Sequence, residues 1–293
     1  MEKGRFAPSP TGRMHMGNLF SALLSWLSVK SKGGEWLLRI EDIDPGRSRQ
    51  AFADQLMADL EWLGLTWDGT PVYQSTRGDL YEKYYKILQS QGLTYPCYCT
   101  RADLLATQAP HESDGRVVYP GTCRRLSAQQ GKAAATRLIV PNREWTFTDG
   151  HYGTQHVNLA CQIGDFIIRR KDGAWAYQLA VVVDDALTGV TEVVRGRDLL
   201  LSSPQQMYVS ELLGFSQPHF IHLPLLCNKE GLRLSKRDLS LDMEHLRQQY
   251  TPEQLTGRLA HLAGLLPSPT AVRPEELLPL FTWQKVPKKD IIT

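Results

Sequence analysis

Long apolar runs are missing from this sequence. No segment approaches the roughly 20 consecutive apolar residues that a membrane-spanning helix needs. The first residues, Met-Glu-Lys-Gly-Arg-Phe, lack the apolar stretch of a secretory signal. Both absences predict a soluble, cytoplasmic protein. Cysteine is scarce and odd in number, five in 293 residues, which argues against a disulfide framework. Cys161 and Cys227 read as small buried apolar residues. Neither sign of charge is in large excess, with a net charge of +2. A nucleic-acid partner would therefore be gripped by local clusters rather than by a global field. Candidates are Arg124-Arg125, Arg169-Arg170-Lys171, Lys236-Arg237 and Lys285 with Lys288-Lys289. Internal repeats are also absent. What is present is core-forming material, 42% of the chain, enough for one large domain with an insertion or for two domains.

The order of patterns is that of an α/β protein. Lys3 to Ala7 reads as a strand, broken by Pro8, Pro10 and Gly12. From Gly17 to Val29 apolar residues recur at helical spacing, and Gly33-Gly34 ends that helix. Glu35 to Ile40 is a buried strand, and Arg49 to Leu63 and Leu80 to Gln91 are helices. Strand and helix alternate, which predicts parallel strands. Thr94 to about Arg125 is loop-rich, and Ala133 to Asp172 alternates apolar and polar residues in places, as a small β-rich insertion would. The core resumes near Trp175, with strands at Val190–Val194 and His219–Leu223 around a helix from Ser203 to Leu213, where a Ser cap is expected. Helices at about Leu241–Gln249 and Pro252–Leu265 follow, and Pro267 to Thr293 carries few signals. The expected units are 1–93 with 174–240, an insertion over 94–173, and a C-terminal helical segment over 241–293.

Two distant segments make chemical sense together. His15-Met-Gly-Asn18 opens a helix after a strand and a Pro/Gly turn, and Arg233-Leu-Ser-Lys-Arg237 forms a basic loop beyond Gly231. A strand-to-helix loop is where open α/β sheets bind ligands, and the helix N-terminus favours phosphate. His15 can donate to a phosphoryl group, Gly17 lets a base or ribose approach the backbone, and Lys236 can close over a triphosphate from the other side. Each motif alone is weak.

The ordered set resembles the class I aminoacyl-tRNA synthetases, which are Rossmann-like α/β enzymes, and specifically their glutamyl branch. His15-Met-Gly-Asn18 is similar to that family's first signature and Arg233-Leu-Ser-Lys-Arg237 to its second. Arg5-Phe-Ala-Pro-Ser-Pro-Thr-Gly12, Arg39-Ile-Glu-Asp-Ile-Asp44 and Tyr177-Gln-Leu-Ala-Val-Val-Val-Asp-Asp185 narrow it to glutamate. The resemblance covers about residues 4 to 250. It implies that ATP, with Mg²⁺, is held by Pro8, His15, Gly17, Asn18, Arg233, Leu234, Ser235 and Lys236, with His15 and Lys236 catalytic. Asn18 stands where the signature has its second His, and Arg233 and Arg237 keep only the charge of its outer positions.

A glutamate pocket must neutralise two carboxylates and one ammonium, and Arg suits carboxylate because its planar fork binds bidentately. The resemblance assigns L-glutamate to Arg5, Ala7, Ser9, Glu41, Tyr177 and Arg195. Glu41 would take the ammonium, Arg5 and Arg195 would share the carboxylates, and Tyr177 would donate its hydroxyl. The bland reading of Glu41 is an ion pair with Arg39 or Arg47.

Cys97-Tyr-Cys99 and Tyr119-Pro-Gly-Thr-Cys123 suggest a metal loop. Residues i and i+2 of an extended segment face one way, and the Pro-Gly turn can return Cys123 to them. A structural zinc wants four ligands, and Tyr119 and His111 are the nearby candidates for the fourth. Generic zinc chemistry favours His111; the resemblance favours Tyr119, because the tRNA-modifying paralogues have a Cys-x-Cys…Tyr-x-x-x-Cys site.

The stretch after about residue 250 is too short for the helical anticodon-binding module of full glutamyl-tRNA synthetases. The chain therefore resembles the stand-alone glutamyl-queuosine tRNA(Asp) synthetases. That resemblance implies activation of glutamate without tRNA, transfer to queuosine at the wobble position of tRNA(Asp), and a monomer. A shortened enzyme charging tRNA(Glu), a silent tRNA- or partner-binding paralogue, and another nucleotidyl transferase of the same fold are the alternatives.

Overall fold

A computed structural model describes residues 1–106, 118–126, 129, 131–234 and 242–293. The chain opens with β1 (Lys3–Phe6), α1 (Met16–Lys30), β2 (Glu35–Ile40), α2 (Gln50–Trp62) and β3 (Val72–Tyr73). β1 pairs with β2 and β2 with β3, both parallel. Trp36, Leu38 and Ile40 are buried on one face of β2. β3 was not anticipated; with two residues it is too short for any periodicity to show. After α3 (Gly78–Ser90) the chain leaves the core.

The excursion contains β4 (Thr94–Cys97), α4 (Arg101–Ala106), β5 (Ala135–Leu138), β6 (Glu144–Asp149), β7 (Gly153–Asn158), α5 (Leu159–Gln162) and β8 (Phe166–Arg169). β4, β5 and β8 form one antiparallel sheet, and β6–β7 is a separate hairpin. β6 alternates strictly, with Trp145, Phe147 and Asp149 buried. An aspartate in an apolar phase matters below.

The core resumes with α6 (Tyr177–Thr188), β9 (Glu192–Gly196), α7 (Ser202–Leu213) and β10 (His219–Leu223). β9 and β10 are parallel, and Thr191 N–H bonds Lys3 C=O at 2.8 Å, which sets β9 beside β1. The parallel layer thus runs β3-β2-β1-β9-β10. Crossing from β1 to β9 brings residues 5–18 against residues 195–199 at the strands' C-terminal ends, the usual ligand position in such sheets. The expected Ser cap on α7 is not made. Leu201 occupies the cap position without a side-chain bond, and the Ser203 hydroxyl is engaged by Arg195 instead.

β11 (Leu226–Cys227), α8 (Met243–Gln249), α9 (Pro252–Leu262) and β12 (Ile291–Ile292) complete the chain. β12 pairs in parallel with β11, so the signal-poor tail returns to the site's rim. Helix α1 is buried on almost every face because the sheet covers one side and the C-terminal segment another; that explains its apolar sequence. Cys227 is buried as expected, but Cys161 is exposed, because the short α5 carries it on its outer side.

Candidate active site

The first signature is built by capping. His15 precedes α1, and its Nδ1 accepts the Gly17 N–H at 3.1 Å, while Asn18 Oδ1 accepts the His15 N–H at 3.1 Å. Two otherwise unpaired helix donors are satisfied reciprocally. An accepting Nδ1 places the ring proton on Nε2, so the imidazole is preset as a donor. Gly17 has a local reason as well: a Cβ there would lie 3.0 Å from His15 Cε1. Asn18, which departs from the signature's second His, serves as the other half of the cap.

The second signature enters along a hairpin. Leu234 N–H bonds Leu226 C=O at 2.9 Å, Asn228 N–H bonds Leu232 C=O at 2.8 Å, and Gly231 turns the chain with φ 76°. Arg233 pairs with Asp198 across the mouth. Ser235, Lys236 and Arg237 lie outside the described residues, as does His111.

One cleft of about 160 Å³ gathers most of the expected positions. Arg5, Ala7, Glu41, Tyr177 and Arg195 line one part. His15, Gly17, Asn18, Arg233 and Leu234 line the other. Pro8 and Ser9 are not on its wall. Pro8 C=O accepts the Glu41 N–H at 3.0 Å and so fixes that strand end, while Ser9 is exposed.

The end of the cleft lined by Arg5, Glu41 and Arg195 is a buried charge network that the sequence showed only in part. Asp185 accepts from Arg39 Nη1 at 2.6 Å and from Arg5 Nε at 3.2 Å. Burial opposes its ionisation, but the two guanidiniums outweigh that and hold its carboxyl below the ordinary aspartate range. Asp184 takes Gln74 at 2.7 Å, Arg77 at 2.5 Å and Tyr81 at 2.8 Å. Glu41 is 3.4 Å from Arg39, so the bland ion pair exists, though it is long. Burial raises the Glu41 carboxyl despite Arg39 and Arg5. Arg195 is the opposite case. Among the described residues no carboxylate lies within 4.0 Å of it; it donates to Gln206 at 2.8 Å, Ser203 at 2.8 Å, His222 at 3.1 Å and Tyr177 at 3.4 Å. Burial in these neutral surroundings lowers its guanidinium pKa. Arg39, Asp184 and Asp185 stood in quoted motifs without a site role, and His222 and Asp149 were missed altogether. Asp149, Asp184, Asp185 and His222 share a signal: a charged or titratable residue at a position in phase with buried apolar residues.

The cysteine loop closes as the spacing suggests. The sulfurs of Cys97, Cys99 and Cys123 all lie within 4.8 Å of one another, a group that could hold a metal ion. Tyr119 Oη is 3.5 Å from Cys97 Sγ and 3.9 Å from Cys99 Sγ. Gly164, at φ 74°, lets the Tyr119 backbone pass where any Cβ would collide with it. Burial opposes ionisation of Cys123, but contacts from Tyr119 and the Tyr98 backbone bring its thiol down to about 7. Arg137 Nε stands 3.2 Å from Cys97 Sγ, so a positive charge already faces that sulfur. Three convergent thiols of this kind are a soft donor set that suits zinc.

The profile described as "tRNA synthetases class I (E and Q), catalytic domain" matches residues 3–289. The chain belongs to the class I tRNA synthetase family. Curated relatives named Glutamyl-Q tRNA(Asp) synthetase include one from Symbiobacterium thermophilum, 46% identical, with 98% of this chain and 94% of the relative covered. Another, from Neisseria meningitidis, is 46% identical with both chains fully covered. A solved glutamate tRNA ligase from Elizabethkingia meningosepticum, crystallised with its amino acid, has a TM-score of 0.84 at 28% identity. It covers 99% of this chain, which spans 66% of that longer protein. The synthetase fold and its glutamate and glutamine branch are thereby shown. Of the synthetase's basic clusters, Arg124, Arg169 and Arg170 are spent on Asp165, Glu82 and Asp44. Among the described residues, no helix is long and apolar enough to cross a membrane.

Proposed function

We propose that the cleft activates L-glutamate with ATP, without tRNA, and transfers the glutamyl group to queuosine at the wobble position of tRNA(Asp). The observation that carries the first half is Arg195, a buried guanidinium whose hydrogen-bond acceptors among the described residues are all neutral. A dicarboxylic substrate supplies an anion. Glu41, a carboxylate held in a site that disfavours its charge, gains the substrate's ammonium. Arg5 shares the carboxylates, Tyr177 can donate its hydroxyl while accepting from Arg195, and Ala7 and Ser9 complete the assignment. The acceptor half is supported by the names of relatives that match over nearly their full length.

In the first step a carboxylate oxygen of glutamate attacks the α-phosphorus of ATP; the bond to the bridging oxygen breaks and pyrophosphate leaves. His15 donates from Nε2, and Lys236 adds positive charge from the second signature. Pro8, Gly17, Asn18, Arg233, Leu234 and Ser235 hold the nucleotide. Mg²⁺, brought with ATP, would neutralise phosphate charge. In the second step a queuosine hydroxyl attacks the activated carbonyl, its proton is lost and AMP departs. Placement of the reactants and the good leaving group contribute most. Zinc, held by Cys97, Cys99, Cys123 and Tyr119, would supply a structural crosslink for the insertion. The protein works as a cytoplasmic monomer.

The test is transfer of radiolabelled glutamate to purified tRNA pools. Label that survives removal of the 3′-terminal nucleotide and disappears from queuosine-free tRNA is the expected result. Label lost with the terminal nucleotide would show charging at the 3′ end and defeat the acceptor assignment. Absence of ATP–pyrophosphate exchange without tRNA would defeat the tRNA-independent first step.

A further inference from the structure

Arg195 is held from behind by a pair that the reaction above does not use. His222 lies on β10 and is fully buried, and its Nε2 accepts from Arg195 Nε at 3.1 Å. A guanidinium has no acceptor to offer, so that contact requires a lone pair on Nε2 and a proton on Nδ1. Asp149 supplies the matching acceptor: its Oδ2 lies 2.6 Å from His222 Nδ1. The carboxylate is itself fixed by the His151 and Tyr152 N–H groups at 3.0 and 2.8 Å, and by the His222 N–H at 3.1 Å. Ser203 accepts from Arg195 Nη2 at 2.8 Å and can donate its own proton to Nε2 at 3.3 Å. Donation in this chain runs one way, from the Arg195 N–H to His222 Nε2 and from His222 Nδ1–H to Asp149.

We propose that Asp149 and His222 are positioning residues for glutamate recognition, holding the Arg195 guanidinium toward the substrate carboxylate through the Nδ1–H tautomer of His222. The proposal rests on Arg195 being a glutamate ligand. Its consequence is that the inserted segment, through Asp149 at the end of β6, acts on the amino-acid pocket it does not line. The opposite tautomer or the imidazolium would set N–H against N–H at the Arg195 contact and turn the fork away. The groups facing the ring are Asp149 from β6, Arg195 from β9, Asp198 from the turn after β9, and the uncharged Ser203 from α7. Burial foremost, and Arg195 next to it, lower the His222 pKa below its ordinary 6.5 despite Asp149, so the neutral ring prevails at neutral pH.

The experiment is tRNA-free ATP–pyrophosphate exchange by the full chain, with KM measured separately for glutamate and ATP. His222→Ala and Asp149→Asn are expected to raise the glutamate KM at least tenfold and to leave the ATP KM within twofold. His222→Gln, whose amide oxygen can replace Nε2 as acceptor, is expected to recover part of that loss. Wild-type kcat/KM for glutamate should fall below pH 6.5 with one ionisation that His222→Gln lacks. Arg195→Gln separates the two levels. If it raises the glutamate KM while His222→Ala leaves it within twofold, the relay is wrong and the ligand assignment stands. If Arg195→Gln has no effect, the ligand assignment falls and takes the relay with it. Should His222→Ala fail to fold, nitrogen NMR of ¹⁵N-histidine-labelled wild type decides: an Nε2–H tautomer or an imidazolium for His222 at pH 7.5 overturns the proposal.

Discussion

Arg39 lies on β2 and Glu41 just past its end, two positions on, and both side chains are nearly buried. The pair they make is 3.4 Å long, and Arg39 spends its better bond on Asp185. Glu41 is therefore a carboxylate short of positive charge. Replacing it by Gln keeps the shape and removes the charge the substrate ammonium needs. A buried charge partner is worth about 2–5 kcal/mol, so Glu41→Gln is expected to raise the glutamate KM by roughly 30-fold or more. The ATP KM should stay within twofold, and an equal rise for both substrates would make Glu41 a structural residue. Lys236→Ala addresses the other side of the reaction. Charge used in the transition state is worth about 10²–10³ in kcat, so pre-steady-state adenylate formation should slow by that order with glutamate affinity unchanged. Comparable rates in the two proteins would remove Lys236 from catalysis. At this scale the sequence was legible as far as placement goes: His15 and Gly17, from a motif, and Arg195, from the resemblance, all line one cleft. It was silent on His222 and Asp149, because their contact spans 73 positions and each looks ordinary alone.

Elements were easier to read than contacts. Strand β10 and the bounds of β2 follow from short, mostly apolar segments, and α1 from its helical spacing. The hairpin β6–β7 showed only as general alternation, since β7 is largely solvent-facing and gives no apolar phase. The tail could not be read at all. Its short 3₁₀ turns, Pro274–Leu280 and Trp283–Lys285, are stabilised by packing on α1 and by Glu192 and Ser28 beneath Trp283 rather than by local pattern. The cysteine element lies between these cases. Its spacing was clear, but the chain's return to Tyr119 depends on Gly164, forty-five residues beyond that tyrosine. Purified protein is expected to contain about one zinc per chain by elemental analysis, as a structural site of this type binds tightly. Cys123→Ser should lose it. Exchange of ATP with pyrophosphate should persist in that variant, because the loop lies outside the cleft, while transfer to tRNA falls. A zinc-free wild type with full transfer activity would refute the metal assignment.

At the scale of the whole molecule, buried charges of opposite tendency lie in different parts of one chain, and pH separates them. Asp165 anchors the insertion: it takes Tyr95 at 2.5 Å, Arg124 at 2.5 and 2.6 Å, and the Val140 N–H at 2.9 Å. Burial alone would raise its carboxyl, but these bonds prevail and hold it below 3.8. A carboxylate with a depressed native pKa contributes stability that is fully present above its unfolded value of 3.8 and is lost as pH falls through the native value. Glu41 has the other sign. Its native pKa is raised above 4.5 by burial, so its charged form costs stability above that raised value, and the cost vanishes as pH falls toward 4.5. Asp165→Asn is therefore expected to lower the urea midpoint at pH 7, with the deficit shrinking only below pH 3.8. Glu41→Gln is expected to raise the midpoint at pH 7, with the gain fading toward pH 4.5, even as glutamate binding is lost. The binding site is thus kept at the expense of stability while the insertion's anchor supplies it. Urea titrations of the two variants across pH 3–8 check both signs at once, and a Glu41→Gln protein less stable than wild type at pH 7 would show that the Arg39 pair outweighs the burial of that charge.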